Sequence, residues 1–204
     1  MSIVIGLTGQ TGAGKTTVCR VFEQKGFGII NADTIARRVV EKGKPCLMEL
    51  AAAFGKEILS GSGELDRKKL GSIVFSHKEK LTLLNSIIYP YITEDIRGDI
   101  EKLSQQGKEF ILLDAPTLFE SGADKLCSAV AAVTADEDIR LERIIRRDGI
   151  TEKQARARMS SQHTEEFFRN NSSYVIDNSK GERELFEAAE KTADSIIKRF
   201  HSVR

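Results

Sequence analysis

Short apolar runs alternate with longer segments of helical periodicity along this chain of 204 residues. Each run is rich in aliphatic and β-branched residues, as expected of a parallel strand that is covered on both faces. The predicted strands are Ile3 to Thr8, Gly28 to Asn31, Phe110 to Asp114, Ala129 to Thr134 and Tyr174 to Asp177. Because helical segments separate them, the pattern predicts an α/β fold with a five-stranded parallel sheet.

The strand pattern stops between Asp33 and Gly107, where apolar positions follow helical spacing. Ser76 and Glu79 form an S-x-x-E capping box that predicts the start of one of these helices. Pro90 is expected to bend or restart this helix, and Gly107 to end it before the chain returns to the sheet. The segment is therefore predicted to be a helical insertion.

A second helical excursion follows the fourth predicted strand. Thr134 and Glu137 form a capping signature for a helix that Gly149 is expected to end. Thr151 and Gln154 repeat the signature and predict a second helix directly afterwards. The two helices together predict a helical hairpin.

Arginine is concentrated in this hairpin. Arg140, Arg143 and Arg147 are spaced i, i+3, i+7, which predicts that they share one helix face away from the apolar stripe. One interpretation is a solvated basic face, which is common on charged helices. The other is an arginine lid over the phosphates of a bound nucleotide.

Composition limits the classes of function. The net charge of +1 gives no global field that would attract nucleic acid. No apolar run approaches the roughly 18 residues of a membrane span, and the first strand begins too early for a charged signal segment. Three widely spaced cysteines fit reduced thiols, so we expect a cytoplasmic protein without a zinc site.

The strongest motif is a phosphate loop, G-Q-T-G-A-G-K-T at Gly9 to Thr16, placed between the first strand and a helix. Its glycines allow backbone amides to turn around phosphate oxygens, and the following helix adds a positive N-terminus. Lys15 is predicted to bridge the β- and γ-phosphates, Thr16 to bind Mg²⁺ and Thr17 to contact the α-phosphate. A chance glycine-rich turn is the alternative.

Carboxylates follow two of the predicted strands at the sheet edge where ligands bind in open α/β folds. Asp33 could orient an acceptor hydroxyl toward the γ-phosphate, or it could only cap a helix from Thr34 to Val40. Asp114 could hold a Mg²⁺ water or have only a turn or cap role, and Glu120 leaves the same alternatives open.

Several segments together resemble the dephospho-coenzyme A kinase family: the phosphate loop, I-I-N-A-D, G-x-L-D-R at Gly63 to Arg67, Y-P at Tyr89, A-P-T-L-F-E at Ala115 and V-I-D-N. The resemblance spans nearly the whole chain. It implies a three-layer P-loop kinase fold with a helical substrate-binding insertion and a helical lid. It also implies ATP-dependent phosphorylation of the 3′-hydroxyl of dephospho-coenzyme A with Mg²⁺, the last step of coenzyme A synthesis.

The resemblance also assigns residues. Asp33 matches the proposed catalytic aspartate, Arg143 and Arg147 match the lid arginines, and Arg37 and Arg67 fall where substrate contacts are expected. The ATP-binding segment is matched by Gly12, Ala13, Gly14, Lys15, Thr16 and Thr17.

The expected parts of the single kinase domain follow from the same likeness. They are a core of about 1–33, 108–135 and 163–204, a substrate arm of about 34–107 and a lid of about 136–162.

Three departures from the family pattern stand out: Asn31 replaces the first aspartate of D-A-D, Tyr89 replaces a histidine, and Ala115 to Leu118 replace V-P-L-L. They indicate a divergent member more than another activity. A nucleoside monophosphate or sugar kinase is the alternative within the class. A nucleotide-switch GTPase is the alternative outside it, but the guanine-reading N-K-x-D segment that it needs is missing from the sequence.

Overall fold

The computed structural model describes residues 2–74 and 77–202. Its strands are β1 (Ile3–Gly9), β2 (Gly28–Asn31), β3 (Phe110–Asp114), β4 (Ala129–Thr134) and β5 (Tyr174–Asp177). All five predicted strands are confirmed, and β1 is one residue longer than predicted.

Helices connect the strands. They are α1 (Lys15–Gln24), α2 (Ala32–Arg38), α3 (Pro45–Phe54), α4 (Arg67–Val74), α5 (Lys78–Gln105), α6 (Glu137–Asp148), α7 (Glu152–Ser160), α8 (Glu165–Asn171) and α9 (Glu182–His201). Short 3₁₀ helices occupy Lys56–Ile58 and Ala123–Leu126. Within 2–74 and 77–202, no helix combines the length and the apolar character that crossing a bilayer requires.

The strands form one parallel sheet in the order β2-β3-β1-β4-β5, with helices on both faces. Central β1 pairs with β3 and β4, which places Leu7 beside Asp114 and Gly9 beside Val133. Because the strands are parallel, their carboxyl ends lie at one edge, where the loops after β1, β3, β4 and β5 emerge. The predicted fold class is confirmed.

The main core lies between one face of this sheet and two helices. Phe22 of α1 is fully buried and its ring contacts that of Phe27 at a centroid distance of 4.9 Å. The other members from these helices and the sheet are Ile5, Leu7, Val18, Val21, Phe110, Leu112, Ala129, Ala131, Val133, Ile176, Leu185, Ala189, Ala193 and Ile196. Alternate strand residues therefore supply one face of a continuous apolar layer, and α1 and α9 cover it.

The chain divides into two compact units. The first unit comprises residues up to Ile30 and from Lys102 onward, and it contains α6 and α7, the predicted lid. The second unit is Asn31–Glu101. Inside the second unit, Arg38 binds Asp95 and Asp99 at 2.8 and 2.9 Å and so ties α2 to α5.

Several predicted helix ends are confirmed and others are wrong. Both halves of the Thr151 capping box are present, and Gly149 ends α6 with φ of 63°. Thr134 is not a cap, because it is the buried last residue of β4, and α6 begins only after Asp136. The Ser76 capping box lies partly outside the described residues.

Two further expectations concern α5. The helix continues through Pro90, so the predicted restart does not occur, although the proline removes one backbone donor. Gly107 has φ of 79° and donates to Ser104 O at 3.0 Å, which confirms that it ends the helix.

Replacing Phe22 by alanine should lower the free energy of unfolding by about 3–5 kcal/mol, since the ring is fully buried and leaves a cavity. Phe186, which is 39% exposed on α9, is the matched control, and Phe186→Ala should cost less than about 1 kcal/mol. Urea unfolding followed by circular dichroism measures both. Equal losses in the two variants would contradict this description of the core.

Candidate functional site

The phosphate loop follows β1 at the central position of the sheet, and its shape depends on glycine. Gly9, Gly12 and Gly14 have φ of 139°, 79° and 100°, a region that other residues rarely adopt. A Cβ on Gly9 would lie 2.1 Å from the carbonyl oxygen of Val133 in the adjacent strand. These glycines are therefore required both by backbone conformation and by close packing.

Helix α1 begins directly at the end of the loop. Gly14 occupies its N-cap position in the left-handed conformation, and no side chain of the described chain caps the helix. The Lys15 ammonium group donates to the carbonyl oxygen of Gly9 at 3.2 Å, across the loop, and Thr16 is exposed. A helix N-terminus, a lysine and a threonine hydroxyl are thus brought together as the motif predicts.

Two side chains from distant segments hold the outer side of the loop. Asn178, which is 4% exposed, donates from Nδ2 to the carbonyl oxygen of Ala13 at 2.7 Å. Arg143 donates to Gly12 O at 3.4 Å and to the main-chain and side-chain oxygens of Asn178, each at 3.3 Å. Because these donors hold the loop carbonyl groups, the carbonyls cannot turn toward an anion inside the loop.

The connection after α7 makes a third contact with the loop. The side-chain Oε1 of Gln162 accepts a hydrogen bond from the backbone N–H of Thr11 at 2.7 Å. The Nε2 atom of the next residue, His163, lies 3.6 Å from Oε1 of Glu120, and its ring stacks on that of Phe167 at a centroid distance of 3.7 Å. This is where the structure places Glu120, one of the two carboxylates considered for Mg²⁺.

Sequence reasoning missed Asn178 and Gln162 as parts of the site. Asn178 belongs to the V-I-D-N segment that carried part of the family resemblance, and it follows directly after β5. A polar residue at the carboxyl end of a parallel strand was therefore the available signal. Gln162 gave no comparable signal, because it follows a helix that carries no other sign of contact with the loop.

Helix α6 does not present its arginines as one solvated face. Arg140 is 7% exposed, donates from Nε to Ala135 O at 2.9 Å, and its burial lowers the pKa of the guanidinium group. A Cβ added to Gly12 would lie 2.8 Å from Arg140 O, so α6 packs directly against the loop. The prediction of a shared solvated face is wrong for Arg140, since the loop covers that part of the helix.

Arg143 and Arg147 occupy different surroundings. Arg143 contacts the phosphate loop as described above, whereas Arg147 donates to the two carboxylate oxygens of Asp148 at 2.7 and 2.9 Å. Arg158 of α7 binds the same carboxylate, and these hydrogen bonds lower the pKa of Asp148. The structure therefore brings one of the two predicted lid arginines to the loop and pairs the other within the hairpin.

A carboxylate and a thiol lie beside the loop where β3 ends. The carboxylate of Asp114 acts on the thiol of Cys19 in α1, and burial together with this carboxylate raises the pKa of the thiol to about 12. The positive charge of Lys15 acts on the thiol in the opposite sense. Asp114, Cys19 and Lys15 thus share one neighbourhood, and a metal-binding role for Asp114 stays a prediction.

One departure from the family pattern, Asn31, lies at the start of α2 in the second unit. Asn31, not Asp33, caps α2, because its side-chain oxygen accepts from Thr34 N at 2.9 Å. Asp33 is exposed in the first turn, and no hydrogen bond or ion pair is found for it among the described residues. The alternative that Asp33 is only the helix cap is therefore wrong.

Arg37 and Arg67 line the same cavity of about 430 Å³ within the second unit. The other lining residues are Val40, Glu41, Lys42, Glu64 and Leu65. Within the described chain, none of its three cations forms an ion pair, in contrast to Arg38, which binds Asp95 and Asp99. Three cations against two carboxylates favour an anionic ligand.

Comparisons with known proteins agree on one family. The family model described as dephospho-CoA kinase matches residues 3–184. A dephospho-CoA kinase of Bacillus anthracis is 42% identical over 178 residues, which cover 87% of this chain and 89% of that protein.

Two solved structures resemble this chain. TT1252 from Thermus thermophilus has a TM-score of 0.82 at 31% identity, with 95% of this chain and 97% of that chain covered. The dephospho-CoA kinase from Campylobacter jejuni has a TM-score of 0.73 at 28% identity, with 97% and 98% covered.

Replacing Asn178 by alanine should weaken binding of an ATP analogue about tenfold, because the buried Ala13 carbonyl loses its donor. Asn178→Asp should weaken binding too, since a carboxylate accepts from Arg143 but cannot donate to Ala13. Asn170→Ala, at an exposed position of α8, is the control and should bind normally. Calorimetric titration measures the affinities, and wild-type affinity in Asn178→Asp would contradict the role of this donor.

Proposed function

Since the chain belongs to the dephospho-coenzyme A kinase family, we propose that it transfers the γ-phosphate of ATP to the 3′-hydroxyl of dephospho-coenzyme A. The products are coenzyme A and ADP, so the reaction is the last step of coenzyme A synthesis. The observation that carries this proposal is a complete phosphate loop on β1, within a family match over residues 3–184.

The first unit supplies the donor half of the reaction. Backbone amides of residues 12–17 would surround the phosphates, and Lys15 would place its charge between the β- and γ-phosphates. Thr16 and Asp114 fit Mg²⁺, because both offer oxygen ligands and Asp114 shares the neighbourhood of Lys15. The ion, when bound, would supply positive charge to the β- and γ-phosphate oxygens.

Asp33 is the proposed orienting group for the acceptor. A bond forms between the 3′-oxygen and the γ-phosphorus, while the bond from the γ-phosphorus to the bridging oxygen of ADP breaks. The hydroxyl proton passes to the Asp33 carboxylate late in a loose transition state, so positioning contributes more than basicity. The exposure of Asp33 in the first turn of α2 supports this role, since no other described residue forms a hydrogen bond or ion pair with its carboxylate.

The arginines of the hairpin have two proposed roles. Arg143 would keep the loop in its binding conformation through Gly12 and Asn178. The lid comprises residues of about 136–162. When it closes, Arg147 would leave Asp148 and contact the transferred phosphate of the nucleotide. Closure would exclude water and so limit hydrolysis of ATP.

The surroundings of the enzyme are also part of the proposal. Three free cysteines fit a reducing compartment, and we place the enzyme in the cytoplasm. The net charge of +1 supports small-molecule substrates and no nucleic-acid partner.

Incubation with ATP, Mg²⁺ and dephospho-coenzyme A should yield coenzyme A, measured by mass spectrometry of the product. Lys15→Ala and Asp33→Asn should each lower kcat by about 10² to 10³, because each removes one preorganised charge from the transfer step. Both variants should keep their melting temperature. No turnover by the wild-type chain would reject the proposed function, and near-normal kcat in either variant would reject that residue's role.

Replacing Arg67 by alanine should raise KM for dephospho-coenzyme A about tenfold, because the cavity that it shares with Arg37 loses one cation for the substrate diphosphate. KM for ATP should stay within about twofold. Lys68→Ala is the matched control, since Lys68 is the next exposed cation on α4 but does not line the cavity. Steady-state kinetics at varied acceptor concentration measure the effect, and equal KM values for Arg67→Ala and Lys68→Ala would contradict it.

A further inference from the structure

The second unit contains an apolar groove beside the cavity of Arg37 and Arg67. It has a volume of about 340 Å³ and is lined mainly by aliphatic side chains of α3 and of the segment that follows it: Leu47, Met48, Ala51, Ala52 and Leu59. Met48 is 68% exposed, which is unusual for a large apolar side chain. The groove therefore leaves apolar surface in contact with water.

Local backbone structure keeps this groove open. Gly43 and Gly63 line it at either side with φ of 86° and 81°, and nothing lies within 4 Å of the position that a Cβ on Gly43 would occupy. Leu59 forms an antiparallel bridge with Leu65, which holds the segment after α3 as a tight hairpin. Small residues and this hairpin thus form the rim of the groove.

The groove and the cationic cavity adjoin each other. Lys42 lines the cavity and Gly43 lines the groove, while Gly63 lines the groove and Glu64 the cavity. The Lys42 Cε atom lies 3.5 Å from the Cβ position of Gly63, so the two spaces meet at this contact. A ligand that fits both spaces is anionic at one end and carries apolar groups beyond it.

We propose that the groove is the subsite for the pantetheine arm of dephospho-coenzyme A. This assignment rests on the proposed function. The substrate carries a diphosphate between its adenosine and its pantetheine. Next to the ester methylene the pantetheine has a dimethyl-substituted carbon, and it continues through a hydroxyl-bearing carbon, two amides and methylene groups to the thiol. The diphosphate lies in the cavity of Arg37 and Arg67, and the arm continues past Lys42 into the groove.

The spacing on α2 sets the direction of the substrate. Asp33 and Arg37 are four residues apart, so they lie on one helix face about 5–6 Å from each other. In the substrate, one ribose ring separates the 3′-hydroxyl from the 5′-diphosphate. Asp33, Arg37 and the groove therefore follow the order hydroxyl, diphosphate and pantetheine. The groove thus selects acceptors that carry an arm beyond the diphosphate.

The test compares two neighbouring alanines near the end of α3. Ala52 lines the groove, whereas Ala53, which is also exposed on the same helix, does not. Ala52→Asp places a carboxylate where the arm lies, and KM for dephospho-coenzyme A should rise about tenfold while KM for ATP stays within about twofold. Ala53→Asp introduces the same charge by the same substitution in the same helix, and it should have the wild-type KM for both substrates.

The possible results distinguish failure of the proposed subsite from failure of the proposed function. If the wild-type chain makes no coenzyme A, the proposed function fails and the subsite with it. If the wild-type chain is active and both aspartate variants share its KM for dephospho-coenzyme A, the subsite is overturned and the function stands. Equal increases in both variants would overturn it as well. Met48→Asn provides a second test if Ala52→Asp has a lowered melting temperature, and an unchanged KM there would also overturn the subsite.

Discussion

The structure depends above all on the backbone conformation of the phosphate loop. An anion can be surrounded by amide groups only if the loop carbonyls point elsewhere, and here separate donors hold two of them. Asn178 binds the carbonyl of Ala13, and Arg143 binds that of Gly12. The positive φ angles of the loop glycines make this arrangement accessible, and the two side chains hold it in place.

This constraint connects segments that are far apart in the chain. The turn after β5, helix α6 and the connection after α7 each contact the loop, through Asn178, Arg143 and Gln162. These segments adjoin β4 and β5. In the sheet, β4 lies next to β1 and β5 lies one position beyond, so the three contacts occur at the same edge of the sheet. The first unit is consequently organised as a donor site, while the second unit combines a cationic cavity with an apolar groove.

The sequence was most informative where structure is determined locally. Strand bounds followed from apolar runs, and the Thr151 cap and Gly149 stop followed from residue types that satisfy helix ends. The predictions from sequence were wrong where tertiary packing determines the position of a residue. Thr134 has the residue type of a cap, but pairing with β5 keeps it in β4, where it lies beside Asp177. Arg140 has a surface residue's charge, but the loop covers it.

The site was only partly predictable for the same reason. The motif predicted Lys15 and Thr16, but the contact between Asn178 and the loop spans 165 positions and depends on sheet order.

Hydrogen exchange with dephospho-coenzyme A alone tests most directly whether the acceptor binds to the second unit. Amide exchange should slow in residues 37–67 and change little in residues 9–17. Slower exchange confined to 9–17 would contradict binding to the second unit, because the acceptor would then occupy the donor site.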